Sequence, residues 1–433
     1  MDLKALLINP WCYDFSAVNL WSRPLGLIKV AEYLSQFNIN IRYIDCMDIF
    51  KEKMFGTGKY PREIIEKPDI LSSIPRYYKR YGHNIEFISK RIEENLPCDF
   101  ILITSIMTYW YPGIQKIVKI IKSYTKTTPI ILGGIYATIC REHASTNINA
   151  DYVFSGSIDD RLIKILSKFN ILLDKDKPPK RYYELPLYEK HPFGILMTSK
   201  GCPFECSYCA SKILSPSFTQ YEPYEVIKDI KEMTKRGVID FAFYDDALLF
   251  NSDNHIKIIL KELLNENINV RFHCPNGLHA RYIDDELAYL MRKNNFKTIR
   301  LSLETINDDR NKQTGGKVDV KTFVQAVNTL KKYGFSKEEV GAYLMYGLPG
   351  QSLEEVKEGI DFLKSLGIRI NLTEFSPIPK TKIWMELKEL GTINDNTDPL
   401  LTNNSIFYLL FSNYNIEEIE KIKLDVKNYN NNK

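Results

Sequence analysis

Three thiols stand close together in Gly201-Cys-Pro-Phe-Glu-Cys-Ser-Tyr-Cys-Ala210, with Cys202, Cys206 and Cys209 on a C-x₃-C-x₂-C spacing. Three thiolates so placed can hold three irons of a cubane [4Fe–4S] cluster and leave the fourth iron without a protein ligand. An iron with an open position binds and reacts with a small molecule, so the triad points to catalysis more than to storage. The competing chemistry is a structural zinc site completed by Cys274 or His273, because zinc also takes Cys₃His and Cys₄ sets. Zinc motifs usually come as paired C-x₂-C knuckles, and the chain has no second knuckle.

The loop needs a scaffold. Residues 194–199 read as a short buried strand that delivers it at its carboxyl end. Further strands are expected to begin near Asp240, Asn269, Lys297, Val340 and Arg369, with helices over 224–234, 284–293, 320–331 and 352–366. Each helix stops near a glycine or asparagine: Gly237, Asn294, Gly334, Gly367. Six such βα units over 191–380 make an incomplete barrel related to the eight-fold form, whose chemistry gathers at the strands' carboxyl ends. Polar residues recur there: Asp245 and Asp246, His273 and Asn276, Ser302 and Glu304, the turn Gly347-Leu-Pro-Gly350, and Pro377-Ile-Pro379. Asp and Asn also cap helices, so any one pair admits a turn reading. Their recurrence at one end of the strands makes an active-site mouth the economical explanation.

Residues 1–165 alternate strands (5–9, 39–45, 100–105, 129–133, 152–156) with helices over 24–37 and 112–124. The pattern implies an α/β domain with a doubly wound parallel sheet and a ligand crevice outside the strand ends. Ser105-Ile-Met107, Gly133-Gly134 and Gly156 fall at those ends, where glycine lets a ligand approach the backbone or simply makes a tight turn. Trp11, Tyr13, Phe15, Trp21, Tyr109, Trp110 and Tyr111 crowd the same rim. An insert at 48–98 carries the basic-aromatic run Arg76-Tyr-Tyr-Lys-Arg-Tyr81, expected to be a solvated face with anchoring tyrosines. A Lys- and Pro-containing stretch, 166–190, is expected to link the domains. Residues 381–433 read as a helical segment whose Asn-rich end frays.

With 433 residues, 44% hydrophobic and 26% charged, the composition is that of a globular chain. The net charge of +4 gives no electrostatic warrant for nucleic-acid binding. The amino terminus runs straight into a strand without a cationic, apolar leader, and no run is long and apolar enough to span a bilayer. Eight scattered cysteines do not make a disulfide scaffold, so a cytoplasmic location is expected.

The cysteine spacing, with Tyr208 just before the last thiol, resembles the cluster loop of the radical S-adenosylmethionine (SAM) superfamily. The resemblance implies that the open iron chelates SAM and that an electron from the cluster cleaves it to a 5′-deoxyadenosyl radical. It implies provisional roles: Asp245 and Asp246 for the SAM amino group, Ser302 and Glu304 for the ribose, Gly347 and Leu348 for the adenine, Tyr208 for adenine contact. No catalytic side chain beyond the cluster ligands is implied. Lys380 departs from a glycine that many relatives have in a Pro-x-Pro-Gly-Thr run.

Residues 1–165 resemble the cobalamin-binding domain that precedes the barrel in one subgroup, with Ser105 and Gly133-Gly134 matching its Ser-x-Leu and Gly-Gly elements. Asp14-Phe-Ser-Ala-Val-Asn19 lacks the His and Gly of Asp-x-His-x-x-Gly, which rules out a histidine ligand to cobalt from that loop. The function implied is a cobalamin-dependent radical SAM enzyme, a C-methyltransferase on a small-molecule or peptide substrate, with flavodoxin or ferredoxin as reductant. One alternative is a methylthiotransferase-like enzyme with a second cluster on Cys12, Cys46 and Cys140; Cys98 precedes its strand and falls on the other side. Another is a radical SAM enzyme whose first domain no longer binds cobalamin.

Overall fold

A computed structural model of the chain describes residues 3–49, 60–412 and 414–432. Two compact units emerge, Met1–Pro192 with Asp398–Leu401, and Phe193–Thr397 with Thr402–Lys433. The first is built on five parallel strands: β1 (Leu3–Asn9), β2 (Ile39–Asp45), β3 (Phe100–Ile103), β4 (Ile130–Leu132) and β5 (Tyr152–Val153). All five lie where the apolar runs place them, and Ala5, Leu6, Leu7 and Ile8 are wholly buried. Continuous apolar strands are what a parallel sheet covered on both faces requires. Helices Leu25–Leu34 and Tyr111–Tyr124 supply the two expected crossovers. The strand order β2-β1-β3-β4-β5 reverses between β1 and β3, which makes their carboxyl ends the topological switch point.

The insert is more ordered than its composition suggests. Its strands Arg62–Ile65 and Tyr78–Tyr81 join Cys12–Asp14 in an antiparallel ribbon, and Ile85–Glu94 is a helix. Its residues 50–59 lie outside the described residues. The basic-aromatic run is therefore a strand rather than a solvated face. Tyr78, Arg80 and Tyr81 are buried, while Tyr77 is exposed. Arg80 ion-pairs with Glu63 and lies over the Trp11 ring. The stretch 166–190, expected as a linker, packs along the first unit. Tyr182, Tyr183, Leu185 and Leu187 are buried, and the Tyr182 N–H donates to Glu32 Oε1 at 2.9 Å.

The second unit has six parallel strands in plain sequence order: β6 (Gly194–Leu196), β7 (Asp240–Phe243), β8 (Arg271–Leu278), β9 (Phe296–Glu304), β10 (Val340–Tyr346) and β11 (Arg369–Glu374). It has the strand arrangement of an open (βα)₆ barrel. Helices Pro223–Lys235, Ile256–Asn265, Asp285–Lys293, Val320–Lys332 and Leu353–Ser365 separate the strands. Asp284, Asp319 and Ser352 each cap a helix by accepting a main-chain N–H. Each cap contributes about 1 kcal/mol. No helix among the described residues is long and apolar enough to cross a membrane.

The Asn-rich end, expected to fray, belongs to helix Ile416–Asn431. Asn430 Oδ1 accepts from the Ile370 N–H at 3.0 Å, and its Nδ2 donates to the Ile370 carbonyl at 2.8 Å. One side-chain amide thus occupies the open edge of β11, where another strand would otherwise dock. Asn430→Ala should lower stability by about 1–2 kcal/mol in denaturant titrations, because it leaves two strand-edge groups unpaired. It should also raise light scattering; an unchanged midpoint and scattering would show that the edge needs no cover.

Candidate active site

The three cysteines lie on a closed excursion beyond β6, whose base is pinned where Ser199–Lys200 pairs antiparallel with Thr219–Gln220. Cys202 is buried, and Cys206 and Cys209 are half-buried. Burial pushes the Cys202 thiol up to about 11, with Asp246, Cys209 and Cys206 adding to it. Burial also raises Cys206, against the pull of Lys317. Binding to a cationic iron–sulfur core would draw these two thiols to thiolates and relieve their repulsion.

A glycine lets the neighbouring chain pass close over the loop. Gly315 has φ +117°, and a Cβ there would stand 2.9 Å from Cys206 Cα and 3.5 Å from its Sγ. The Ser211 N–H meets Cys209 Sγ at 3.4 Å, and the Ser211 hydroxyl donates to Asp246 Oδ2 at 2.8 Å. Phe204, between the first two cysteines, stacks on His279 at 4.3 Å, with Phe250 at 5.9 Å and Tyr282 at 6.3 Å completing an aromatic box. Burial, with Lys317 and Arg281 adding to it, drives His279 down to about 3, so it is neutral. Its Nδ1 is buried without a hydrogen-bond partner.

The ligands that a zinc site would need face elsewhere. His273 lies inside β8, not at its carboxyl end as expected. Its ring contacts Thr298 Oγ1 at 2.9 Å and Asp240 Oδ1 at 3.0 Å, toward the strands' amino ends. Cys274 is buried in the same strand. Among the described residues, no three His, Cys, Asp or Glu side chains are gathered about one ion position. A cubane distributes its three thiolates over three separate irons, so it does not need such a gathering.

At the mouth, β9 ends in a bulge between Ser302 and Glu304, and Glu304 is left-handed at φ 69°. Bulges re-aim side chains, and strain of this kind persists only where surrounding contacts enforce it. Lys317 supplies that contact. Its ammonium donates to Glu304 Oε1 at 2.8 Å and to Ser302 Oγ at 3.3 Å, and stands 5.7 Å from the Tyr208 ring centroid. Burial opposes the Lys317 charge, but Glu304, Cys206 and Cys209 outweigh it and raise its pKa. Burial and Glu304 hold the Tyr208 hydroxyl well above its ordinary value, and it is buried without a hydrogen bond.

Leu348 is buried in an apolar cluster with Phe375, Trp384 and Phe407, against which Tyr208 packs. Gly347 is left-handed at φ +84°. Arg310 fixes this turn by donating to the Pro349 and Gly350 carbonyls at 2.8 and 3.1 Å while ion-paired to Glu355. Lys380 is itself left-handed at φ 72°, so the sixth-strand turn keeps a glycine-type backbone.

The two carboxylates after β7 divide their work. Asp245, expected to receive an ammonium group, is buried and already fully engaged. It accepts from the Thr198 N–H at 3.0 Å, Thr198 Oγ1 at 2.8 Å and Ser199 Oγ at 2.6 Å. It ties β7 to the base of the cysteine loop. Asp246 is the exposed member, facing Ser211. Lys317, Arg310 and His279 escaped the sequence reading. The Gly315-Gly316-Lys317 run marks a helix stop, but nothing in it says where the lysine turns.

In the first unit, Ser105, Gly133 and Gly134 come together at the switch-point edge. Ser105 Oγ donates to the Gly133 carbonyl at 2.6 Å and accepts from the Ala137 N–H at 3.2 Å. A Cβ on Gly134 would stand 2.3 Å from the Ser105 carbonyl oxygen, whereas Gly133 has only the Phe154 carbonyl near, at 3.9 Å. Gly134 is thus required by the turn, and Gly133 leaves open backbone. A small pocket beside them is lined by Asn9, Pro10, Trp11, Cys12, Met47, Thr104, Ser105, Ile106, Trp110 and Ile114. The other rim aromatics Tyr13, Phe15, Tyr109 and Tyr111 are buried as packing. Asp14 accepts from the Trp110 indole at 2.6 Å and from the Phe15 N–H at 2.6 Å. Cys12 and Cys46 are buried, and burial holds both thiols protonated.

Residues 196–363 match the radical SAM superfamily. An uncharacterized methyltransferase of Pyrococcus horikoshii is 25% identical over 49% of this chain and 47% of its own length. The hopanoid C-2 methylase of Rhodopseudomonas palustris is 22% identical over 64% of this chain and 57% of its own. The chain therefore spans about half the length of these curated relatives. Among solved structures, the radical SAM methyltransferase TsrM of Kitasatospora setae, with cobalamin and a [4Fe–4S] cluster bound, superposes with a TM-score of 0.63 over 90% of this chain and 75% of its own, at 14% identity. That likeness is one of fold.

Asp245 makes a pH prediction. Burial pushes its carboxyl up from 3.8 to about 6 against its donors. The folded chain then binds this proton more tightly than the unfolded one, so stability from this group is full below pH 4 and is lost as pH rises to about 6. Denaturation midpoints of the apo chain between pH 4 and 7 should lose that component in Asp245→Asn. An identical pH profile in the variant would contradict the assignment.

Proposed function

Residues 196–363 form a radical SAM domain, and from that premise we propose that the chain is a cobalamin-dependent radical SAM enzyme that methylates carbon in a small-molecule or peptide substrate. The observation that carries the proposal is the meeting of an open three-cysteine loop with the Ser302–Glu304–Lys317 cluster at one barrel mouth. Cys202, Cys206 and Cys209 would hold the cluster, and Tyr208, Asp246, Ser302, Glu304, Gly347 and Leu348 would hold SAM. Once bound, these two groups supply reductive cleavage of a sulfonium and a 5′-deoxyadenosyl radical able to take hydrogen from unactivated carbon.

The chain's own work is positioning and exclusion of water. Lys317 anchors the Glu304 carboxylate beside Ser302, where it could accept two ribose hydroxyls, as acidic residues do in dinucleotide folds. Asp246 offers its exposed carboxylate to an ammonium, while Asp245 holds the strand end that carries it. Arg310 and Glu355 stiffen the Gly347-Leu-Pro-Gly350 turn beside the adenine position. The aromatic box around Phe204 shields the cysteine loop. Flavodoxin or ferredoxin would deliver the electron.

Cobalamin binding rests on the switch-point crevice, the open backbone at Gly133 and the fold shared with TsrM. Asp14, held by Trp110 and Phe15, offers no ligand to cobalt, in keeping with the missing histidine. A second cluster is disfavoured because Cys12 and Cys46 are both buried and behave as small apolar groups, whereas two of the three cysteines of the 202–209 loop are only half-buried.

Anaerobic reconstitution with iron, sulfide and cobalamin tests the reading on one sample. About four irons per chain, a corrinoid spectrum and SAM-dependent 5′-deoxyadenosine are expected, and Cys206→Ala should abolish the last. About eight irons would favour a second cluster, and undiminished deoxyadenosine from the variant would remove the radical mechanism. Lys317→Met should weaken SAM binding by roughly 10–100-fold, the usual cost of losing a charge-assisted contact, with iron content unchanged. Equal affinity in equilibrium binding would show that the lysine serves the fold alone.

A further inference from the structure

Two arginines occupy one level of the barrel sheet below the mouth. Arg300 lies two residues below Ser302 on β9 and so shares its face. Its register partner on β10 is Gly341, whose partner on β11 is Arg369. One level up, Ser302, Tyr343 and Asn371 stand in register. Gly341 lets Arg369 and Asn371 pack close against β10: a Cβ there would stand 2.8 Å from Asn371 Oδ1 and 3.1 Å from Arg369 Cβ.

Among the described residues neither guanidinium has a counter-charge. Arg300 donates only to the Ile299 and Glu339 carbonyls, at 3.0 and 3.1 Å. The Glu339 carboxylate is committed to Arg292 and Lys297, each at 3.2 Å. Among the described residues neither Arg300 nor Arg369 makes an ion pair, although both are only half-exposed. Burial lowers Arg300 to about 10, with Arg369 adding to the effect. The Asn371 amide beside them keeps its Oδ1 buried without a partner. Like charges held together in a partly buried setting and left unpaired are costly. The guanidinium fork matches the oxygens of carboxylate and phosphate.

We propose that Arg300 and Arg369 bind an oxyanion group of the substrate, a carboxylate or a phosphate, on the barrel floor beneath the SAM mouth. The assignment to substrate rests on the radical SAM reading of that mouth. Ser302 and Glu304 lie two and four residues above Arg300, so the anion would sit roughly 7–13 Å along the strand below those two residues. The substrate is then an elongated molecule with one anionic end, entering that end first.

Thermal unfolding of the full chain is followed against inorganic phosphate and against acetate, with ionic strength held constant by sodium chloride. The wild type should show a saturable rise in Tm, and the more effective anion distinguishes phosphate from carboxylate. Arg300→Met and Arg369→Met should each weaken the apparent affinity at least 10-fold, and Arg369→Lys should recover part of it, which separates loss of the anion from loss of the fold. No saturable rise in the wild type, or the same rise in the Arg300→Met/Arg369→Met double variant, overturns the proposal. Iron content and deoxyadenosine yield of the same wild-type preparation test the mouth separately. If they fail while the phosphate effect persists in the wild type and vanishes in the variants, the anion site stands and its assignment to a radical SAM substrate falls.

Discussion

The ion pair between Lys317 and Glu304 is the constraint on which the mouth depends. Glu304 ends a strand in a bulge and holds a left-handed backbone, both of which cost energy. The half-buried ammonium offsets that cost, reaching Ser302 and the Tyr208 ring as well. Through Tyr208 the same contact touches the cysteine loop, and through Gly315 the chain leading to Lys317 closes over Cys206. A single lysine therefore couples the strand end, the Glu304 carboxylate and the thiol loop.

Around that pair the unit separates rigid support from available chemistry. Asp245 spends its carboxylate on Thr198 and Ser199, and Arg310 spends its guanidinium on the Gly347–Gly350 turn, so neither is free to act on a ligand. What remains available is small: Asp246, the Glu304–Lys317 pair, the buried Tyr208 hydroxyl and the unpartnered His279 Nδ1. Buried polar atoms are normally paired, so these two unpaired atoms beside the thiol loop are where a bound group would be expected to make contact. The unpaired arginines deeper in the sheet obey the same logic with a larger charge.

The first unit shows the complementary case, in which apparent site residues are largely structural. Ser105 locks the Gly133-Gly134 turn with its own hydroxyl, and most rim aromatics are buried packing. Open backbone at Gly133 and the switch point of the strand order are what recommend this edge as a ligand site. The ribbon formed by the insert shows why composition misled there. Pairing with Cys12–Asp14 turns one face of a basic-aromatic strand inward, and Arg80 finds Glu63 and Trp11 instead of water.

Much was legible in the sequence because it depends on local pattern. The apolar runs located all five strands of the first sheet, and the helix periods with stops at Gly237, Asn294, Gly334 and Gly367 located four of the second unit's helices to within a residue or two. The thiol spacing pointed to one chemistry, and Ser302, Glu304, Gly347 and Leu348 fell at one end of the barrel because strand ends can be counted. Direction and partnership could not be read this way. Whether Asp245 or Asp246 faces outward, whether His273 lies at a strand end or inside it, and where Lys317 turns all depend on hydrogen-bond partners 13 to 47 residues away in sequence that only packing brings near. The chain alone thus determined which elements form and which residue types collect at their ends; the tertiary structure decided which of those charges are neutralised by a neighbour and which are left for a ligand, because burial and pairing are properties of contacts between distant segments.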